Sequence, residues 1–134
     1  MNLKFRLTSL SFLQFFVWGI WLISLGGYMF ATFNNPLDPE LGSKVGNTYG
    51  TMGWASLFMP ALMGILADKY LRAEVVLGLC HILGGAALYY ASTVTNSGDM
   101  YWAIFMVSCF YMPTIALSNS VTYSILSKNN LDVQ

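Results

Sequence analysis

The sequence predicts an all-α membrane protein with four transmembrane helices. Hydrophobic residues make up 56% of the 134 residues and charged residues only 9%, whereas an average soluble domain carries about 25% charged residues. Four long apolar segments alternate with short polar ones, and each reaches the roughly 20 residues that cross a 30 Å hydrocarbon core. The partner that this composition indicates is therefore a lipid bilayer. Net charge is zero and the basic residues form no patch, which argues against nucleic acid as a partner.

The helices are separated by segments that a bilayer interior would not accept. The predicted spans are 7–33, 47–67, 74–94 and 100–126, within one partial transmembrane bundle, 1–134. Prolines and turn-forming residues at 34–40 end the first span, and a polar loop is expected to continue to Gly46. The charged loop 68–73 joins the second and third spans, because charges at the bilayer centre cost about 2.5–3.5 kcal/mol each. Residues 95–99 form the last turn.

Span 1 carries polar and aromatic residues on one face. The apolar run after Arg6 is too long for a signal peptide and has no small-residue cleavage site, so we expect a retained helix. An unpaired amide in hydrocarbon is costly, and flat aromatic rings suit a planar ligand such as a nucleobase. The face is either the lining of a substrate cavity or a packing surface with its amide bonded across the bundle. Its candidate residues are Gln14, Trp18, Trp21 and Tyr28.

Span 2 has a stripe of small residues and ends in the charged loop. Gly46, Gly50 and Gly53 recur at helical spacing, which predicts close packing of another helix. Asp68 and Arg72 lie one turn apart. They either form a surface ion pair worth less than about 1 kcal/mol or act as a conformational latch, with Asp68 facing the positive N-terminal end of another helix.

Spans 3 and 4 contribute the remaining candidates. His81 is the clearly titratable side chain inside a span, and a histidine changes charge near neutral pH. It is either a proton-coupling group or a hydrogen-bonded interior residue. Span 4 offers further candidates for lining a substrate cavity, although hydroxyls can also bond to their own helix: Tyr111, Thr114, Ser118 and Asn119. Apart from Glu74 at the first position of span 3, the spans contain no Asp or Glu, and no pattern of a catalytic site, a metal site or a cofactor site is present, so we expect a protein that is not an enzyme.

The distribution of basic residues predicts the orientation. Five lie near helix ends on one side of the membrane, and Lys44 alone lies on the other. The five are Lys4, Arg6, Lys69, Arg72 and Lys128. The positive-inside rule then places both ends of the chain and the 68–73 loop in the cytoplasm.

The sequence resembles known transporters both in one loop motif and over the whole chain. The spacing Gly64-x-x-x-Asp68-Lys69-x-x-Arg72 resembles the signature loop between helices 2 and 3 of the major facilitator superfamily, although Leu71 stands where that family usually has glycine. Taken whole, the chain resembles the N-terminal part of bacterial nucleoside:proton symporters. The stretches that carry this resemblance are Met1–Lys4, Leu10–Phe15, Trp18–Leu22, Tyr28–Met29, Phe58–Lys69 and Tyr111–Thr114.

The resemblance implies both a fold and an activity. The chain would supply the first four helices of the N-terminal six-helix half of a twelve-helix transporter. That transporter would import nucleosides together with protons across the bacterial inner membrane, driven by the proton gradient and without a cofactor. The loop with Gly64, Asp68, Lys69 and Arg72 would serve as the latch. We therefore expect an incomplete N-terminal piece, with the proton-coupling carboxylate and the C-terminal helices of the parent protein beyond residue 134.

Two other classes fit a chain of this length. A small four-helix multidrug exporter acting as a dimer would have this number of spans, but such exporters rely on a glutamate in the first span, and none lies between Arg6 and Asp38. The other class is a non-transporting accessory membrane protein, which tight self-association through the stripe at Gly46 and Gly50 would favour.

Overall fold

The computed structural model describes residues 2–34 and 38–129. Within them the chain forms four helices: α1 (Leu3–Phe33), α2 (Leu41–Lys69), α3 (Ala73–Thr93) and α4 (Ser97–Lys128). All four are long and apolar enough to cross a membrane, so the predicted all-α membrane fold is confirmed. The part of the predicted turn at 35–37 and the polar tail at 130–134 lie outside the described residues.

The helices extend beyond the predicted apolar spans, and the largest difference is in α2. This helix begins at Leu41 rather than at residue 47, so the polar loop expected up to Gly46 is helical instead. The reason is packing, because Leu41 and Val45 are buried in the bundle core. At its other end α2 includes Lys69, which shortens the predicted 68–73 loop to residues 70–72.

Side-chain caps explain where two of the helices begin. The Asn2 side chain accepts a hydrogen bond from the Lys4 backbone N–H, and Asn96 Oδ1 accepts one from the Asp99 backbone N–H at 2.8 Å. Such caps satisfy N–H groups that lack a partner in the first helical turn. α1 and α4 therefore start before the apolar stretches that a membrane-span criterion detects.

α4 is the central helix of the bundle. It packs extensively against both α2 and α3, whereas α1 has fewer close approaches to its neighbours. The Cα atoms of α1 and α3 stay more than 8 Å apart throughout the described residues. The buried positions of α1 form one narrow stripe: Gln14, Trp21, Leu25 and Met29.

The small-residue stripe of α2 does not pack inside this chain. Gly46, Gly50 and Gly53 are exposed, and a Cβ atom added at any of them would meet nothing within 4 Å. α2 instead buries the opposite side, including Thr48 and Ala55. The predicted packing surface is therefore not the one that α2 uses among the described residues.

Candidate functional site

Gln14 lies where α1 meets α3 and α4. Its side chain is only 3% exposed. Nε2 donates a hydrogen bond to Thr114 Oγ1 at 2.6 Å, and Oε1 lies 2.9 Å from His81 Nε2. The Tyr111 hydroxyl donates to the backbone carbonyl of Gln14. One buried amide thus joins three helices, which satisfies the polar atoms that hydrocarbon would leave unpaired.

Tyr111 is the centre of an aromatic cluster around this amide. The Trp18 ring stacks on it, with centroids 6.3 Å apart and planes at 30°. Trp21 and His81 approach with edge-to-face geometry, at 6.1 and 6.4 Å. The rings therefore contact one another, as aromatic pairs prefer to do. The indole Nε1 of Trp18 is buried and has no hydrogen-bond partner among the described residues.

The other sequence candidates lie at different distances from the cluster. Thr114 is fully buried and belongs to it. Ser118 lies one turn further along α4, where its hydroxyl donates to the Ile115 carbonyl at 3.0 Å. Asn119 is exposed. Tyr28 lies near the other end of α1, with its hydroxyl donating to the Ser92 carbonyl at 3.4 Å.

A cleft between α1 and α3 leads to the buried amide. Its volume is about 440 Å³, and it is mostly apolar. Gln14 and His81 line it together with Glu74, which lies two turns before His81 on α3. The remaining lining residues are Leu10, Leu13, Val17, Leu77, Gly78 and Val121. The cleft thus joins a surface carboxylate to the polar centre of the bundle.

Two further cavities involve other parts of the molecule. One of about 280 Å³ includes Trp21 and Tyr28 in an otherwise mostly apolar wall. A larger one, about 550 Å³, lies between the N-terminal parts of α2 and α4, where Lys44, Asn47 and Trp54 contribute polar groups and an aromatic ring. Sequence analysis did not select Asn47 and Trp54. For Asn47 a sequence signal was available, because it is a polar residue next to a glycine in the first part of a membrane-spanning helix.

The electrostatics before and at the start of α2 centre on Asp38 and Lys44. Lys44 Nζ lies 2.7 Å from Asp38 Oδ2. The hydrogen bond from Lys44 holds the pKa of the Asp38 carboxyl below its usual value, and the Glu40 backbone N–H acts in the same direction. Lys44 is near the N-terminus of α2, where a positive charge opposes the helix dipole. The Asp38 carboxylate offsets that effect.

The predicted latch residues lie at the end of α2 and in the connection that follows. Asp68, Lys69 and Arg72 are all exposed. Arg72 pairs with Glu74 at 3.6 Å rather than with Asp68, and such an exposed pair is worth less than about 1 kcal/mol. Asp68 forms no ion pair within residues 2–34 and 38–129. Gly64 lies five residues before Lys69 in a half-buried position.

No group of three His, Cys, Asp or Glu side chains that could hold a metal ion occurs in the described part of the chain. The polar chemistry of the site is that of hydrogen-bond donors and acceptors, among them the ring nitrogens of His81.

Comparisons with known proteins show what the chain is similar to. A sequence model described as nucleoside H⁺ symporter matches residues 1–134. The chain is 46% identical to the xanthosine permease of Escherichia coli (strain K12) over 132 residues, which cover 98% of the chain and 30% of that protein. It is 44% identical to nucleoside permease NupG of the same organism over 133 residues, which cover 99% of the chain and 31% of that protein.

A crystal structure of nucleoside transporter NupG has the same helix arrangement. It superposes with a TM-score of 0.88 at 44% identity, covering 98% of the chain and 31% of that structure. The chain thus spans about 30% of the length of the curated relatives it matches. Its fold is that of a multi-pass major facilitator transporter, and its relatives are permeases rather than enzymes.

Proposed function

The chain belongs to the nucleoside H⁺ symporter family, and we propose that the protein of which it forms part transports nucleosides across a membrane in symport with protons. The observation that carries this proposal is the family match over residues 1–134, together with 44% identity to a solved nucleoside transporter. The proposed substrates are nucleosides and protons, and the proton gradient is the proposed energy source. No cofactor enters the proposal.

We propose that these four helices act with further helices that the relatives possess. Because the chain covers about 31% of NupG, a complete substrate pathway would need the C-terminal helices as well. The proposed location is the bacterial inner membrane, with both ends of this chain in the cytoplasm. The support for this orientation is the positive-inside rule, because five of the six basic residues lie near one set of helix ends and only Lys44 lies near the other.

The proposed substrate contacts come from the face of α1 and from α4. Trp18 is the strongest of them, because a buried indole N–H without a partner can donate to an oxygen or nitrogen of a nucleoside, and its ring can stack on a base. The whole proposed set is Gln14, Trp18, Trp21, Tyr28, Tyr111, Thr114, Ser118 and Asn119. His81 is proposed as the group in this chain that takes part in proton coupling.

The proposed latch comprises Gly64, Asp68, Lys69 and Arg72. Asp68 is exposed at the end of α2 and its carboxylate is available to the N-terminus of a helix elsewhere in the transporter, an attraction worth about 0.3–1 kcal/mol. Such a contact would form in one conformational state and break in the other.

Uptake of radiolabelled uridine tests the proposed function directly. The longest reading frame that contains this chain would be expressed in bacteria, and uptake measured with and without a protonophore and with unlabelled xanthosine as competitor. We expect uptake that the protonophore abolishes. Uptake unaffected by the protonophore would contradict symport, and its absence in a correctly inserted protein would contradict nucleoside transport.

Trp18→Ala tests the proposed substrate contact within the same assay. We expect weaker uridine binding, about tenfold, because base–aromatic stacking is worth about 1–3 kcal/mol. Phe12→Ala is the matched control, since Phe12 is 63% exposed on the same helix and is expected to leave uptake unchanged. If Trp18→Ala and the unmodified protein have equal affinity for uridine, Trp18 does not contact the substrate.

A further inference from the structure

Both ring nitrogens of His81 face atoms that can only accept hydrogen bonds. Nδ1 lies 2.9 Å from the Leu77 carbonyl oxygen, and Nε2 lies 2.9 Å from Gln14 Oε1. A neutral imidazole carries one N–H, whereas an imidazolium carries two. With the amide in this orientation, both hydrogen bonds form only when His81 is protonated.

The opposite amide orientation satisfies the neutral ring equally well. A side-chain amide turned by 180° exchanges its oxygen and nitrogen at nearly the same positions. Gln14 Nε2 then donates to His81 Nε2, while His81 Nδ1–H donates to the Leu77 carbonyl. Gln14 Oε1 now faces Thr114, whose hydroxyl can donate to it. Each protonation state of His81 therefore has its own complete hydrogen-bond pattern.

The two patterns differ at α4 because Thr114 has a single hydroxyl proton. In the observed arrangement that proton goes to the Tyr111 carbonyl, with Thr114 Oγ1 2.6 Å from the oxygen. In the opposite arrangement it goes to Gln14, and the Tyr111 carbonyl loses this bond. Hydroxyls bonded to a preceding carbonyl bend helices. The neighbouring Pro113 lies inside α4 and removes one backbone hydrogen bond, which makes this point of the helix easy to bend.

We propose that Gln14 and Thr114 are positioning residues that relay the protonation state of His81 to α4 beside Pro113. Protonation fixes the Gln14 amide with its oxygen toward His81 and the Thr114 hydroxyl on its own helix. Deprotonation reverses both. The role of this relay in coupling protons to transport rests on the proposed symport, but the relay is a property of this chain alone.

The surroundings of His81 leave few other groups to titrate with it. From α1 the uncharged Gln14 faces it, and from α4 the Tyr111 ring lies edge-on at 6.4 Å. On its own helix Glu74 lines the same cleft and is paired with Arg72 at the exposed end. His81 is therefore the group in this cleft whose proton the hydrogen-bond geometry addresses.

Nuclear magnetic resonance of the full chain in lipid nanodiscs tests the relay without any transport. The sequence contains one histidine, so ¹⁵N-histidine labelling reports the protonation and tautomer of His81 alone. Tyrosine labelled with ¹³C at the carbonyl, combined with ¹⁵N-methionine, gives signals only from Tyr–Met pairs. The sequence has two such pairs, Tyr111–Met112 at the relay and Tyr28–Met29 away from it.

We expect three signals to change together between about pH 5 and 8, where histidine titrates. These are the His81 ring nitrogens, the Gln14 side-chain amide, observed in a further sample labelled with ¹⁵N at the glutamine side chain, and the Tyr111 carbonyl. The Tyr28 carbonyl is expected to stay constant. A ring that keeps one protonation state over this range would overturn the proposal. So would a titrating ring that leaves the Gln14 amide and the Tyr111 carbonyl unchanged.

Variants of Thr114 separate a relay from a purely structural role. In Thr114→Val the Tyr111 carbonyl is expected to lose its response while the His81 ring still titrates, and Thr114→Ser is expected to retain the response. Thr122→Val is the matched control, because the Thr122 hydroxyl bonds only to the Ser118 carbonyl of its own helix. A Tyr111 response that persists in Thr114→Val would overturn the relay.

The relay and the proposed function fail in different ways. Three signals that titrate together, in a protein without uridine uptake, would overturn symport and leave the relay in place. Proton-coupled uptake without the joint titration would overturn the relay alone.

Discussion

Replacing Gln14 with leucine is the most direct test of how the buried amide holds this bundle together. The substitution keeps a side chain of similar size but removes the bonds to Thr114 and His81. Because the Cα atoms of α1 and α3 stay more than 8 Å apart in the described part of the chain, the Gln14–His81 bond is a side-chain bridge between the two helices. We expect the loss of that bridge to loosen α1.

The expected change in the free energy of unfolding follows from the hydrogen bonds that Thr114 and His81 lose. Thr114 keeps its hydrogen bond to the Tyr111 carbonyl, so the loss of the Gln14 donor destabilises Thr114 only slightly. His81 loses the partner of Nε2, and an unsatisfied buried polar atom costs about 1–3 kcal/mol. His81 is only partly buried, and hydrogen bonds between membrane helices average about 0.6 kcal/mol. We therefore expect Gln14→Leu to lower the free energy of unfolding by about 1–2 kcal/mol.

Unfolding in mixed micelles titrated with dodecyl sulfate measures this change, with the fluorescence of the four tryptophans as the probe. A double-mutant cycle with His81→Phe isolates the pair, and we expect a coupling energy of about 1 kcal/mol. The control is Thr51→Val on α2, since the Thr51 hydroxyl is fully buried but bonds only to the Thr48 carbonyl of its own helix. The changes in the free energy of unfolding caused by Thr51→Val and by Gln14→Leu should be additive in the double variant. A Gln14–His81 coupling below about 0.3 kcal/mol, the usual limit of additivity, would refute the assigned bridge.

Two further predictions concern the charged ends of the helices. Asp68→Asn, made in the longest reading frame, is expected to slow uridine uptake several-fold at unchanged substrate affinity, because it removes the charge of the proposed latch; unaltered uptake kinetics would contradict that role. The lowered pKa of Asp38 means that its stabilisation of the first turn of α2 is present above the unfolded-state pKa of about 3.9 and is lost as the pH falls through the lower folded-state value. Hydrogen exchange of the Lys44 and Val45 amides should therefore show weaker protection, relative to the rest of α2, below about pH 4, and Asp38→Asn should show the weaker protection already at neutral pH. Identical protection in the variant would show that the ion pair does not stabilise the turn.

The sequence determined the membrane class and the number of helices because both depend on local composition. An apolar run of sufficient length forms a helix in a bilayer, since every backbone polar group must be satisfied within the segment. The charges at 68–74 had to lie outside the hydrocarbon because a charge at the bilayer centre is costly, and the connection between α2 and α3 lies among them in the structure. The start of α2 was predicted wrongly because Leu41 belongs to a polar stretch by composition but to the core by packing.

The sequence also contained a partial signal for the candidate site. Gln14 and His81 both lie seven residues beyond the predicted starts of their spans, at residues 7 and 74. Helices 1 and 3 of an up-and-down bundle run in the same direction, so these two side chains share a depth in the membrane. Each was selected as a separate candidate, and their equal depth could have predicted that they pair.

Only the tertiary structure decided which surfaces meet. The glycine stripe of α2 had the spacing of a packing face, yet the bundle buries the side that carries Thr48 and Ala55, because any face of an apolar helix can pack and the shapes of its neighbours determine which one does. The structure likewise placed the Gln14 amide between His81 and Thr114, residues that are far apart in the chain. Sequence spacing specifies which side chains share a helix face, but the contacts between helices depend on how all four pack together.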